Sequence, residues 1–218
     1  MSASRGRRRS LPQLLGEHTR ALASCRRCGN TDSTVLPILS AAHAPRVMLV
    51  GQAPGKTEVS DRRPFAGRAG RTLFRWLGRA GVDEARVRER IYIAAITRCY
   101  PGASPAGRGD RVPSPRERAL CSGWLDAELA LIRPALIIPV GRLAVDRFLG
   151  PLPLEAIVGE RKTITLAGGS SEVIALPHPS GASSWINLAA HRELLDRALV
   201  LLGEALTRLG VAAVARSA

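Results

Sequence analysis

Long hydrophobic runs are missing from this sequence. No stretch is long enough to span a membrane, and the N-terminal segment Ser4-Arg5-Gly6-Arg7-Arg8-Arg9-Ser10 has no apolar core of the kind found in secretory signals. These absences argue against a membrane partner and against a secreted protein. We therefore expect a cytoplasmic protein, associated with the nucleoid if the source is bacterial.

Lysine is almost absent as well. Lys56 and Lys162 are the only lysines, so the formal net charge of +14 comes almost wholly from arginine. Arginine binds phosphate through forked hydrogen bonds, and an excess of this size indicates a polyanionic partner, most simply nucleic acid. A generally arginine-rich composition with solvated basic faces is the alternative explanation.

Only four cysteines are present, but their spacing is informative. Cys25 and Cys28 form a C-x2-C pair, Cys99 closes a predicted strand, and Cys121 lies in a predicted helix. Four thiolates from separate elements suit zinc or an iron-sulfur cluster, and spacing alone does not decide between them. Buried free thiols with a loose C-x2-C pair, or a redox-active pair, are the alternatives to a metal site.

The remainder of the chain alternates short apolar runs with longer helical segments, which is typical of a layered α/β domain. Buried, mainly parallel strands are predicted over residues 46–50, 91–96, 135–140 and 173–176, with 163–166 as an added outer strand. Helices are predicted over 70–80, 115–132, 142–148 and about 187–209. The length fits one domain. We assign 1–24 to a basic tail and first helix, 25–210 to a single domain, and 211–218 to a disordered tail.

Two predicted strand ends carry unusual residues, and open α/β sheets bind their ligands at such ends. Gly51–Thr57 is one residue shorter than a phosphate-binding P-loop, and no helical period follows it. We therefore expect no nucleotide cofactor. At the other strand end, His178 lies between two prolines that restrict its backbone, so its imidazole is held in place.

The ordered set of motifs resembles the uracil-DNA glycosylase superfamily, most closely its iron-sulfur family 4, over about residues 25–205. The matching motifs are Cys25-x2-Cys28, Gly51–Gly55, Pro64-Phe65-Ala66-Gly67-Arg68-Ala69-Gly70, Cys99, Cys121 and His178-Pro179-Ser180. The resemblance implies a three-layer α/β/α sandwich around a central, mainly parallel four-stranded sheet. It also implies a 4Fe-4S cluster on the four cysteines, with zinc as the alternative occupant.

The same resemblance assigns roles to residues of the two strand ends. His178 would donate to the departing base, and Phe65 would stack on the flipped base. Gln52 would hold the base edge or orient water, in a base site completed by Gly51, Ala53, Pro54, Gly55 and Ala95. Contacts to DNA are expected from Arg68, Ser180, Ser183 and Ser184, with Trp185 as a wedge or as the start of a core helix.

Two positions depart from the family pattern. Gln52 replaces a glutamate and cannot act as a general base, which leaves the exposed loop acids Glu58 and Asp61 as nearby carboxylates. Ala95 replaces an asparagine that reads uracil, and alanine offers no hydrogen bond. The substrate expected from the sequence is therefore DNA with uracil or another deaminated base, such as hypoxanthine or xanthine.

We predict a monofunctional DNA glycosylase of base excision repair, a hydrolase that leaves an abasic site, because no lysine suited to a lyase step is evident. The alternative is a weakly catalytic or non-catalytic module that binds damaged or single-stranded DNA. A monomer is the simplest expectation.

Overall fold

The computed structural model describes residues 9–28, 36–42, 45–105, 109–180 and 184–212. Within these ranges the chain forms seven α-helices and five strands. In order they are α1 (Leu11–Ala23), β1 (Val47–Gly51), α2 (Lys56–Asp61), α3 (Arg68–Arg79), α4 (Glu84–Arg90), β2 (Ile91–Ala95), α5 (Pro115–Ile132), β3 (Leu136–Pro139), α6 (Arg142–Leu149), β4 (Arg161–Leu166), β5 (Gly169–Ile174) and α7 (Ala189–Arg208).

The strands form one sheet in the order β2-β1-β3-β5-β4. The first four run parallel, and β4 pairs antiparallel with β5. The predicted α/β class and mainly parallel sheet are confirmed. The described residues form five strands rather than the four implied by the resemblance, and β4 corresponds to the outer strand predicted over 163–166. Gly168 and Gly169 have positive φ and turn the chain sharply, so that the predicted outer strand and the last strand form a hairpin.

Both faces of the sheet are covered, which gives three layers. On β1, Val47 and Leu49 pack on the side of α3, α4 and α7, while Met48 and Val50 pack on the side of α1 and α5. All four side chains are fully buried. A central parallel strand with both faces buried has a continuous apolar run, and this is the pattern that predicts β1.

Serine caps fix the start of the two helices on one face. In α5, the Ser114 amide donates to the Glu117 carboxylate at 2.7 Å, and the Glu117 amide donates to the Ser114 hydroxyl at 3.2 Å. This reciprocal arrangement is a capping box. Ser10 and Gln13 form another at α1. The bounds of α5 are those predicted from the sequence.

Two helices, α2 and α4, are missing from the sequence prediction, and α2 contradicts it directly. No helix is expected directly after Gly51–Thr57, yet α2 begins at Lys56. Glu58 explains it, because its carboxylate accepts the amides of Gly55 at 2.9 Å and Gly67 at 3.1 Å. Glu58 is only 8% exposed, so its assignment as a solvated loop acid is wrong. Its hydrogen bonds connect the loop before α2 to the loop before α3. These bonds, rather than an apolar helix face, hold α2 in place.

The ends of the described chain add two observations. Val211 and Ala212, which the sequence analysis places in the C-terminal tail, are buried against α7 and its neighbours, while 213–218 lie outside the described residues. Within the described ranges, none of the helices has both the length and the apolar character needed to cross a membrane.

Candidate active site

The carboxyl ends of the parallel strands open into a cleft of about 690 Å³. Open α/β sheets bind ligands at this position, and the volume lies within the usual range for small-molecule sites. Ten of the predicted substrate and DNA contacts line the cleft. They are Gly51, Gln52, Ala53, Pro54, Gly55, Phe65, Arg68, Ala95, His178 and Ser180.

The imidazole of His178 is held in one tautomer. The Ser180 amide donates to Nδ1 at 3.2 Å, and the Ser180 hydroxyl lies 2.8 Å from the same atom. Because a backbone amide can only donate, Nδ1 is the acceptor and Nε2 carries the proton. Burial lowers the pKa of His178. The neutral ring therefore presents an Nε2–H donor.

A close backbone contact fixes the His178 ring further. A Cβ added to Gly141 would lie 2.8 Å from His178 Cδ2, and the φ of Gly141 is +83°. Only glycine combines that conformation with so close an approach. The turn after β3 thus forms a wall for the imidazole.

Phe65 adopts a strained backbone, with φ of +52°. Its ring lies against Gly51, where an added Cβ would meet Phe65 Cζ at 2.9 Å. Arg88 Nη1 donates to the carbonyl of the preceding residue, Pro64, at 2.9 Å. Bulky residues keep a left-handed conformation only where surrounding contacts enforce it. Here the contacts with Gly51 and Arg88 hold the Phe65 ring at the cleft.

Gly70 is one of those contacts and gives a testable case. A Cβ on Gly70 would lie 1.8 Å from the Phe65 carbonyl oxygen, so G70A must displace the loop that carries Phe65. We expect G70A to lower the free energy of unfolding by at least about 1–3 kcal/mol, measured by urea denaturation.

A matched control lies in the same helix. A Cβ on Gly78 would meet nothing within 4 Å, so G78A should stabilise α3 by up to about 1 kcal/mol. Equal effects of the two substitutions would contradict the role assigned to Gly70.

The two departures from the family pattern lie side by side. Ala95 ends β2 and is in register with Gly51 of β1, and the carbonyl of Gln52 accepts the Thr97 amide at 3.2 Å. Ala95 therefore contributes only a methyl group to this part of the cleft. The Gln52 side-chain amide, which can both donate and accept hydrogen bonds, lies close by.

Two predicted DNA contacts, Ser184 and Trp185, are absent from the described lining of the cleft. The Trp185 indole stacks on His191 with centroids 4.3 Å apart, and its Nε1 donates to Glu155 at 2.7 Å. These contacts occupy the ring in packing, so its role as a wedge stays a prediction. Ser183 lies outside the described residues.

Sequence reasoning missed Asp110, which also lines the cleft. An added Cβ on Gly55 would lie 2.7 Å from Asp110 Oδ2, so this carboxylate lies against the Gln52 loop. Asp110 comes from an irregular segment with no hydrophobic period. Its only sequence signal is an acid in a basic loop, which does not indicate its position.

The four cysteines line one small cavity together with Arg26, Arg27 and Arg98. Burial raises the pKa of Cys99 to about 12, and the other three thiols add to that rise. Trp124 Nε1 donates to Cys25 Sγ at 3.3 Å. In the described ranges, His, Cys, Asp and Glu side chains form no group of three or more that could hold a metal ion.

Beneath this cavity is a buried polar network that the sequence did not indicate. Glu128 of α5 is fully buried. Its carboxylate accepts hydrogen bonds from Arg98 and, at 2.8 Å, from the Tyr92 hydroxyl. One of its oxygens also lies 3.2 Å from His18 Nε2. Arg98 borders both the cysteine cavity and the cleft. The network therefore connects the two sites physically.

The sequence of this chain is similar to those of known proteins. A family model for the uracil DNA glycosylase superfamily matches residues 39–207. The type-4 uracil-DNA glycosylase of Archaeoglobus fulgidus is 30% identical over 173 residues, which cover 76% of this chain and 81% of that protein. That of Thermotoga maritima is 33% identical over 135 residues, or 62% of this chain and 65% of that protein, just under two thirds of its length.

A more distant relative is the type-5 uracil-DNA glycosylase of Thermus thermophilus, 32% identical over 117 residues that cover 48% of this chain and 49% of that protein. The superfamily match covers most of the chain, and the broader alignments are to type-4 proteins. The chain belongs to the uracil DNA glycosylase superfamily and, within this group of DNA glycosylases, to the type-4 family.

Proposed function

We propose that this protein hydrolyses the N-glycosidic bond of uracil or another deaminated base in DNA, leaving an abasic site for base excision repair. The observation that carries the proposal is the neutral His178, whose Nε2–H donor is fixed by Ser180 at the edge of the cleft. Bond cleavage moves electrons onto the base, and a preorganised donor stabilises that charge.

The residues around His178 supply the rest of the base site. Phe65 stacks on a base that has been flipped out of the duplex, because its strained backbone already presents the ring at the cleft. Glu58 holds the amides of Gly55 and Gly67, so the base-binding loop and the Phe65 loop keep one spacing. Gln52 pairs with the base edge.

Uracil is the first substrate to consider, since the type-4 relatives are named uracil-DNA glycosylases. Ala95 contributes no polar contact, and a site without a directional hydrogen bond discriminates poorly between bases. The Gln52 amide can donate and accept. It therefore fits hypoxanthine and xanthine as well as uracil, and the proposed substrate class is deaminated bases in general.

DNA contacts are proposed from the basic surface around the cleft. Arg68 and Ser180 line the cleft, and Ser183, Ser184 and Trp185, which follow along the chain, are proposed as further contacts. Each phosphate neutralised on duplex DNA should contribute a slope of about 0.9 in log affinity against log salt. An affinity that does not depend on salt would count against a DNA substrate.

We propose further that Cys25, Cys28, Cys99 and Cys121 hold a 4Fe-4S cluster. All four line one cavity. Four cysteine thiolates are the usual ligands of such a cluster, and zinc, which also accepts four thiolates, is the alternative occupant. Arg26, Arg27 and Arg98 border the cavity and would balance the negative charge of the thiolates. The cluster would join the segments that follow α1 and β2 to helix α5.

The direct test is base release from single- and double-stranded oligonucleotides with uracil, hypoxanthine or xanthine, using protein with measured iron and sulfide content. Alkali-dependent strand breaks are expected on at least one substrate. Breaks without alkali would instead assign a lyase step, for which Lys56 lines the cleft. No release from any substrate, with DNA binding retained, would favour the damage-binding alternative.

A further inference from the structure

The replacement of glutamate by Gln52 leaves the water-activating group of the proposed glycosylase unassigned. Two carboxylates, Glu58 and Asp110, are among the described residues that line the cleft. Glu58 is 8% exposed and its two oxygens accept the backbone amides of Gly55 and Gly67. Glu58 is therefore held by the backbone and nearly closed to solvent, whereas Asp110 is exposed, so Asp110 is the better candidate.

We propose that Asp110 is a further catalytic residue, the carboxylate that accepts a proton from the attacking water. This inference rests on the proposed glycosylase function. Asp110 Oδ2 lies 2.7 Å from the position that a Cβ on Gly55 would occupy, against the loop that also carries Gln52. The side chain is exposed, so water reaches it from the solvent.

The backbone that carries Asp110 is anchored on both sides. Ala103 and Asp110 form an antiparallel bridge, and the Arg111 amide donates to the Gly102 carbonyl at 3.0 Å. Arg111 also binds Glu117 of α5 through two hydrogen bonds of 2.8 and 2.6 Å. This guanidinium holds the pKa of Glu117 down at about 2, so the anchor stays charged throughout the working pH range.

The Asp110 carboxylate can still accept a hydrogen bond from a water molecule. Burial and then the neighbouring Asp110 carboxylate raise the pKa of the Tyr100 hydroxyl, and an ionised carboxylate has about four acceptor positions. In the proposed step, the water oxygen bonds to the anomeric carbon of the sugar. The glycosidic electron pair leaves with the base, which His178 stabilises, and the water proton passes to Asp110. Solvent later protonates the base anion.

The test measures single-turnover base release and DNA affinity for D110N. General-base catalysis contributes about 10²- to 10⁴-fold, so the rate should fall by that factor while the Kd for substrate DNA stays the same or tightens. D110E should recover part of the rate. A D110N rate within fivefold of the parent would overturn the proposal.

Two variants separate chemistry from loop positioning. Y100F keeps the carboxylate but removes its hydroxyl partner, and should lose less than tenfold. D126N changes an exposed acid of α5 that is not among the described lining residues, and should match the parent. If Y100F loses as much as D110N, Asp110 has only a structural role. A parent protein that releases no base at all would overturn the proposed function and this inference together, whereas an active D110N would overturn this inference alone.

Discussion

Replacing His178 with alanine should lower the rate of base release by about 10²- to 10³-fold, the usual cost of removing one donor from a preorganised anion site. DNA affinity should change little, because the donor acts on charge that develops only as the bond breaks. The measurement is single-turnover release on the best substrate, with Kd determined separately. Equal losses in rate and affinity would contradict the assignment of His178 as the donor.

Ser180 provides the graded comparison. S180A removes the hydroxyl near Nδ1 but leaves the backbone amide that donates to it, so the Nε2–H tautomer is preserved. We expect a loss of less than tenfold. A deficit as large as that of H178A would mean that the hydroxyl, rather than the imidazole donor, carries the effect.

The lowered pKa of His178 adds a pH signature. Burial favours the neutral ring in the folded protein below the ordinary pKa of 6.5. As the pH falls below 6.5, the rate of base release should keep the contribution of His178 until the pH reaches the lower pKa of His178 in the folded protein. Stability should behave differently, because the unfolded chain binds the proton first. The stability contributed by the neutral ring is fully present above 6.5 and is lost between the two pKa values.

Local patterns were sufficient to predict most of the fold. The apolar run of β1 gives a strand buried on both faces, and Ser114-Pro115 with Glu117 gives the start of α5. The antiparallel hairpin of β4 and β5 was harder, because β5 begins with Gly169, Ser170 and Ser171, none of which is a strand-like apolar residue. Helix α2 was missed because Glu58, rather than a hydrophobic face, anchors it.

The site was predictable only where its residues follow strand ends. Gln52 and His178 could be placed together because parallel strands end at the same edge of a sheet. Asp110 and Glu128 could not, since their contacts join segments distant in sequence. A buried glutamate in a helix is indistinguishable, in a single sequence, from a solvated one. Its partner Arg98 likewise gives no sign that its guanidinium lies in the core.

Glu128 carries the largest expected effect on stability. Its carboxylate is fully buried and pairs with Arg98, which is itself 2% exposed. Removing one member of such a pair leaves an uncompensated charge in the core and costs about 3–5 kcal/mol, a large share of the roughly 5–15 kcal/mol that stabilises a typical domain. We expect E128A to unfold at markedly lower urea concentration than the parent.

A second ion pair on α5 supplies the control for that measurement. Asp126 binds Arg147 at 2.6 Å, but the two side chains are 51% and 43% exposed, so D126A should change stability by less than about 1 kcal/mol. Y92F removes one neutral donor to Glu128 and should cost about 0.5–1.5 kcal/mol. The expected order of destabilisation is thus E128A, Y92F, D126A. If E128A cost no more than D126A, the buried pair would not stabilise the fold.

Because Arg98 borders both the cleft and the cysteine cavity, a destabilised E128A protein should also lose base release and bound iron, whereas D126A should keep both.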